Sequence, residues 1–393
     1  MKLLMKLMQL KQGLLYLALV IAVIAQSQYC IAQEVVIPRE WVIDKSTVYK
    51  NVIIDLNKGS FIVKNKATLQ IEHCTINGTI SSDNPFIIAV ENGTLILKNS
   101  KVTISTSNIS PHANAMTIYH ALHIIKGNVT IDGNEFSIAQ PYTAGLLTTD
   151  TIATNNVTIR NNYIYQFHGG LLLKNSQYAT IVGNKFSHVS LGNIFLIESE
   201  HALISKNYIL FSGNNSIGDA IDIVDSNQVD IEQNYILSGS CYSIVILRGN
   251  NIRINQNSVV GGITYAIYVA PSIDHVTCSN RYLDKDGNKS RTIPVDMNTN
   301  IFITNNYIAQ NRYGLAIHSV KGLWVQNNIF IQRFADNANR LFWTNNDKLF
   351  QNVISVVWKD NWYKEAYSQE EENDNRMAKR IVPFPQHGGV TLA

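Results

Sequence analysis

One asparagine recurs along this chain at a spacing that leaves few folds open. Aligned on it, the segments read TIRNNYI at Asn162, IVGNKF at Asn184, ISKNYI at Asn207, IEQNYI at Asn234, INQNSV at Asn257, TCSNRYL at Asn280, ITNNYI at Asn306 and WVQNNIF at Asn328. Successive members are separated by 22, 23, 27, 23, 23, 26 and 22 residues. A period of this length is the mark of a solenoid in which each repeat forms one coil stacked on the last.

Positions outside the motif keep the same register. Eleven residues before the asparagine stand Leu173, Leu196, Ile223, Ile246, Val269, Val295 and Ile317, and thirteen before stand Leu171, Ile194, Ile221, Ile244, Ile267, Ile293 and Leu315. Three before and two after are again mostly aliphatic, as in Ile204 and Ile209 around Asn207. Alternation of period two within short segments means strands, with these residues turned inward. Coils about 4.8 Å apart then stack like on like, so aliphatic columns fill the interior and asparagine amides bond up and down the turn. The asparagines are therefore structural. The sequence predicts roughly ten coils of a parallel β-solenoid, with Asn99 as an earlier ladder position and Asn134 fitting after a one-residue shift.

Boundaries follow from the same pattern. Residues 1–32 read as a secretory signal, with Lys2, Lys6 and Lys11 before the apolar run Leu14 to Ala25 and cleavage after Ala25 or Ala32. Residues 33–78 are the expected N-terminal cap and entry coils, 79–335 the solenoid, 336–367 a C-terminal cap and 368–393 a polar linker and tail. Trp41 at one end, and Phe342 to Tyr367 with Trp343, Trp358 and Trp362 at the other, are the capping candidates. Export to the periplasm or beyond is expected, with no membrane span in the mature chain and a monomeric state. Cys74, Cys241 and Cys278 read as small buried residues rather than as a zinc site. A net charge of +3 on 393 residues supplies no field for nucleic acid.

The coil pattern over about residues 40 to 335 resembles the right-handed parallel β-helix superfamily, which includes pectate lyases, polygalacturonases, alginate lyases and mannuronan C5-epimerases together with non-enzymatic relatives. The stretch FIVKNKATLQIEHCTINGTISSDNPFIIAVENGTLILKNSKV resembles the entry coils of the mannuronan epimerases. Their Asp-Pro-His-Asp signature is absent from the sequence. The resemblance implies a right-handed parallel β-helix and, for the enzymatic members, a polysaccharide lying in a side groove formed by outward residues of stacked strands.

The outward positions define the face on which such a groove would lie. Twelve before the ladder asparagine come Leu172, Phe195, Asp222, Val245, Tyr268, Pro294 and Ala316, and ten before come Lys174, Ile197, Val224, Leu247, Ala270, Asp296 and His318. This face is largely apolar, which favours cover by a loop, a tail or a partner. Its richest coil, NNSIGDAIDIVDSN, carries Asp219, Asp222 and Asp225. Asp222, flanked by Phe195 and Val245, is the leading candidate for proton transfer, because apolar surroundings favour a carboxyl that exchanges its proton. The alternative is a solvated surface aspartate. Asp219, His168 and Lys174 are further candidates for acid or base, and His120 and His123 are weaker ones.

Arg248 is the candidate for gripping a substrate carboxylate, against an ordinary ion pair with Asp225 on the preceding coil. Tyr242 and Tyr265, with Tyr313 further along, can stack on sugar rings or cap the core at the start of the strands, and Tyr268 is a further substrate-binding candidate. No cofactor is expected. Calcium between Glu198 and Asp225 is conceivable, with Arg248 opposing it. Two classes of function remain open: an acidic-polysaccharide lyase or C5-epimerase, and a non-catalytic solenoid serving as a scaffold, adhesin or periplasmic assembly factor.

Overall fold

The computed structural model describes residues 33–109, 119–149, 154–212, 218–239, 242–262, 265–270, 298–311, 313–332, 354–364 and 382–383. The expected signal segment, Asn280, Cys241, Cys278, the aromatic residues Phe342 and Trp343, and the polar run from Ser368 to Arg380 lie outside these residues. Every described element is a strand. The strands form three long sheets of 14, 11 and 14 strands, and the chain visits them in rotation. Here the first sheet is the one entered just after the ladder asparagine, as at Tyr208–Ser212; the second contains Asp219–Val224; the third contains Asn227–Glu232. Neighbours within each sheet pair in parallel, apart from the antiparallel pairing of Val382–Pro383 at one end.

The register is the one the aliphatic columns require. Leu196, Ile223 and Ile246 lie side by side in the second sheet, as do Ile194, Ile221 and Ile244, and all are fully buried. Parallel pairing begins at Glu34, where Glu34–Val36 pairs with Ile53–Leu56. Trp41 and Val42 sit on the terminal strand of the second sheet and remain exposed.

Between the third and first sheets the chain turns through a left-handed residue followed by the ladder residue. The turn residues, from His73 through Asn161, Lys206, Gln233 and Asn305 to Asp360, have φ between 48° and 70°. The ladder itself is continuous. Each amide Nδ2 donates to the next asparagine's Oδ1 and to a backbone carbonyl, while that Oδ1 also accepts the backbone N–H of the previous ladder residue; at Asn207 these distances are 3.0, 2.8 and 3.0 Å. Both polar atoms of each ladder amide are thereby satisfied, which is what allows the amide column to be buried.

Three features of the ladder differ from the sequence reading. Asn257 bonds directly to Asn306, so the ladder passes over Asn280, which lies outside the described residues. Ser100, not Asn99, holds the early ladder position: its Oγ accepts the Cys74 N–H and its own N–H donates to Asn134 Oδ1, while Asn99 is the left-handed residue before it. The ladder also runs on past Asn328 to Asn361.

Candidate functional site

The outward side of the second sheet gathers the candidate residues. A first outward row runs His120, Gly145, Gly169, Gly192, Asp219, Tyr242, Tyr265 and Tyr313. Three residues further along the strands lie His123, Thr148, Leu172, Phe195, Asp222, Val245, Tyr268 and Ala316. These rows exist because every coil reuses the same alternation, so residues of equal register form straight files along the axis.

Asp222 stands between Phe195 and Val245, as the sequence predicts. It is 0% exposed, so it is not a solvated surface aspartate even though it leaves the coil on the side opposite to Ile221 and Ile223. Leu172, Phe195, Val245, Tyr268 and Ala316 in the same row are buried too, and Val224, Tyr242, Val245, Leu247, Tyr268, Ala270 and Ala316 form an apolar cluster separate from the interior core. From Leu172 to Ala316 this row therefore does not front water.

Asp219 is equally buried and has a defined backbone partner: its Oδ1 accepts the Tyr242 N–H at 2.9 Å. Glycines on its row are required by the rings that lie across them. A Cβ on Gly192 would come within 2.2 Å of the Phe195 ring, and one on Gly145 within 2.4 Å of the His120 ring. Glycine thus lets Phe195 fold flat over the strand beside Asp222, an approach that no larger residue allows.

The tyrosines pack on one another. Tyr242 and Tyr265 are stacked with ring centroids 6.0 Å apart and an interplanar angle of 11°, while Tyr268 lies 5.0 Å from Tyr242 and 5.7 Å from Tyr265. Tyr268 also contacts His318, with ring centroids 5.9 Å apart. Tyr242 and Tyr268 are buried and Tyr265 is half-buried.

Arg248 and Asp225 occupy left-handed corner positions at the end of the second sheet, with Glu198 at the same corner one coil earlier. Arg248 grips Asp225 in a two-pronged pair, Nε to Oδ1 at 2.5 Å and a terminal nitrogen to Oδ2 at 2.6 Å. This is the ion-pair alternative of the sequence reading, and it occupies the carboxylate that calcium would need. Among the described residues no group of three or more His, Cys, Asp or Glu side chains converges on a metal-sized site. His168 holds Ser190 Oγ at 2.8 Å through Nδ1, at the connection leading into the second sheet. Lys174 pairs in register with Ile197, which pairs with Val224, so it stands two coils from Asp222.

Residues 152–283 match the family model described as the right handed beta helix region. The chain has the fold of the right-handed β-helix superfamily. No curated protein matches its sequence. Among solved structures, the Dettilon tailspike protein aligns at a TM-score of 0.39 and 10% identity over 82% of this chain. The β-helix chain spans 62% of that tailspike's length. A periplasmic alginate epimerase aligns at 0.32 and 10% over 82% of this chain and 79% of its own. The A-module of an Azotobacter vinelandii mannuronan C-5 epimerase aligns at 0.33 and 10% over 88% and 94%. No helix among the described residues is long and apolar enough to cross a membrane.

Proposed function

We propose that this chain is an exported, carbohydrate-active β-helix that binds an acidic polysaccharide and modifies it by β-elimination or C5-epimerisation. Both reactions remove the proton next to a uronate carboxylate and need that carboxylate's charge offset. The observation that carries the reading is Asp222, a carboxyl on the outward side of the second sheet that is withdrawn from water between Phe195 and Val245. A carboxyl on this face is the kind of group that can take the proton both reactions remove. Tyr242, Tyr265 and Tyr268 supply the adjoining aromatic surface, and Arg248 is the cation available to a substrate carboxylate in exchange for Asp225. Catalysis at Asp222 requires the outward face to open to the polymer.

The non-catalytic solenoid is favoured by that same burial, by the rings stacking on each other and by the closed Arg248–Asp225 pair. Purified protein incubated with alginate and with pectate separates the two, read by absorbance of the unsaturated product and by proton exchange at C5. Silence in both assays refutes the enzyme. If the parent is active, Asp222→Asn is expected to remove nearly all turnover while polymer binding stays within a few-fold, because the amide keeps the shape and cannot take the proton.

A further inference from the structure

The first sheet carries a different kind of surface, on a face that the proposed reaction does not use. The residue directly after each ladder position points outward, and in register these residues run Tyr163, Lys185, Tyr208, Tyr235, Ser258 and Tyr307. Tyr208 and Tyr307 are 40% and 41% exposed, in contrast to the buried tyrosines of the second sheet. Tyr208 stacks on Tyr235 with centroids 4.8 Å apart. Lys185 places Nζ 5.2 Å from the centre of the Tyr163 ring.

A second file runs beside the first. Two residues before each of these positions stands the left-handed turn residue, which projects Lys206, Gln233, Gln256 and Asn305 into solvent next to the rings. Neither Lys185 nor Lys206 has an ion-pair partner among the described residues. Aromatic rings and amides thus recur along two neighbouring files, with one lysine in each.

We propose that this strip binds a linear acidic glycan lying along the solenoid axis. An extended pyranose chain advances per sugar by roughly the rise of one coil, about 4.8 Å, so successive sugars meet equivalent side chains on successive coils. From Tyr163 to Tyr307 the strip covers five coil steps, about 24 Å at that rise. Rings offer apolar contact to sugar faces and hydroxyls to their edges, amides bond sugar hydroxyls, and Lys185 with Lys206 fixes the sign of the charge on the polymer. The acidic class follows here from the two lysines and not from any role of Asp222, so the strip holds the polymer whether or not the second sheet reacts with it.

Affinity electrophoresis against sodium alginate and polygalacturonate, with dextran as the neutral control, tests the strip. The parent is expected to be retarded by at least one acidic polymer and not by dextran. Tyr208→Ala and Tyr307→Ala together are expected to weaken that binding about ten-fold, the scale of exposed aromatic anchors. Lys185→Gln with Lys206→Gln is expected to flatten its salt dependence. Both pairs are exposed, so folding is checked by an unchanged circular dichroism spectrum. Full-strength binding by the tyrosine variant overturns the strip while leaving the second-sheet proposal standing, and equal retardation by dextran overturns the acidic class. Absence of binding to both acidic polymers overturns the strip, and so does a parent dimer in light scattering that the tyrosine substitutions dissociate, because the strip is then a protein interface. Loss of turnover in Asp222→Asn with intact binding by all strip variants has the opposite meaning and leaves only the reaction.

Discussion

Asn234→Ala removes one rung of the amide ladder and exposes the energetics of the whole column. The side chain is 1% exposed and its amide makes four hydrogen bonds: Nδ2 donates to Ile204 O at 2.8 Å and Asn257 Oδ1 at 3.0 Å, and Oδ1 accepts the backbone N–H and Nδ2 of Asn207, each at 3.0 Å. Some of these partners have a second bond to fall back on. Asn207 Nδ2 keeps Ile181 O, and Asn257 Oδ1 keeps the Asn234 backbone N–H. The Asn207 N–H loses the side-chain oxygen that satisfies it in the interior of the turn, whereas Ile204 stays in its strand pairing with Ile231. A buried unsatisfied group costs about 1–3 kcal/mol, which is the loss expected. The matched control is Gln233→Ala, one residue earlier, where the exposed amide makes only a surface bond to Gln256 and the expected change is under about 0.5 kcal/mol. Urea unfolding followed by circular dichroism gives both values, and amide hydrogen exchange localises the damage, since the Asn207 N–H is expected to exchange faster in Asn234→Ala than in the control. Equal midpoints for the two variants would refute the ladder as a source of stability.

Two other substitutions test the register and the first coils. Ile223→Asp places a carboxylate in the interior column between Leu196 and Ile246, where desolvation of an unpaired charge exceeds a stability margin of about 5–15 kcal/mol; insoluble protein on expression is expected, and a variant as heat-resistant as the parent would mean that inside and outside are exchanged. Tyr49 stacks on Phe61 at 5.5 Å, and burial raises its phenol above 10.0. The stability that this shift represents is complete below pH 10.0 and is lost as pH rises through the higher folded value, because the unfolded phenol ionises first. Tyr49→Phe is therefore expected to lessen the fall in thermal midpoint above pH 10.0, and an unchanged alkaline slope would contradict it.

The columns were legible because a solenoid repeats one local environment, so each aliphatic position is written many times over. Where the repeat is interrupted, the same evidence misleads. Asn280 fell at a coil-like spacing by coincidence, and the sign against it was Thr277 in place of the aliphatic residue found three before the true ladder members. Asn361 was hidden by the opposite accident, since 33 residues separate it from Asn328. Ser100 was overlooked because a hydroxyl can accept the same backbone N–H as an amide oxygen, so the ladder does not demand asparagine at its end. The left-handed corners were equally obscure: Glu198, Asp225 and Arg248 occupy a conformation for which glycine and asparagine are the usual markers. Burial of Asp222 could not be read at all. Alternation tells which way a side chain leaves its own coil, whereas cover over an outward face depends on distant chain with no periodic signature.

The geometry of a solenoid also limits which candidates can act together. Residues in one file are separated by whole coils, and along the axis each step is about 4.8 Å. Lys174 stands two steps from Asp222, about 10 Å, with the Phe195 strand between them. His168 precedes the same strand as Lys174 and is tied to Ser190. Neither can meet the carbon that Asp222 would deprotonate, though each can reach a neighbouring sugar of an extended chain. Among the described residues, Phe195 and Val245 are the register neighbours of Asp222, and Asp219 on its own strand and Tyr242 on the next are ionisable groups on the same outward face. Of these two described groups, Tyr242 comes from the adjoining coil, where a sugar ring lying across both strands would present its opposite face. Tyr242→Phe, which retains the ring stack with Tyr265 and Tyr268, is consequently the substitution that separates a proton relay on this face from a purely apolar seam.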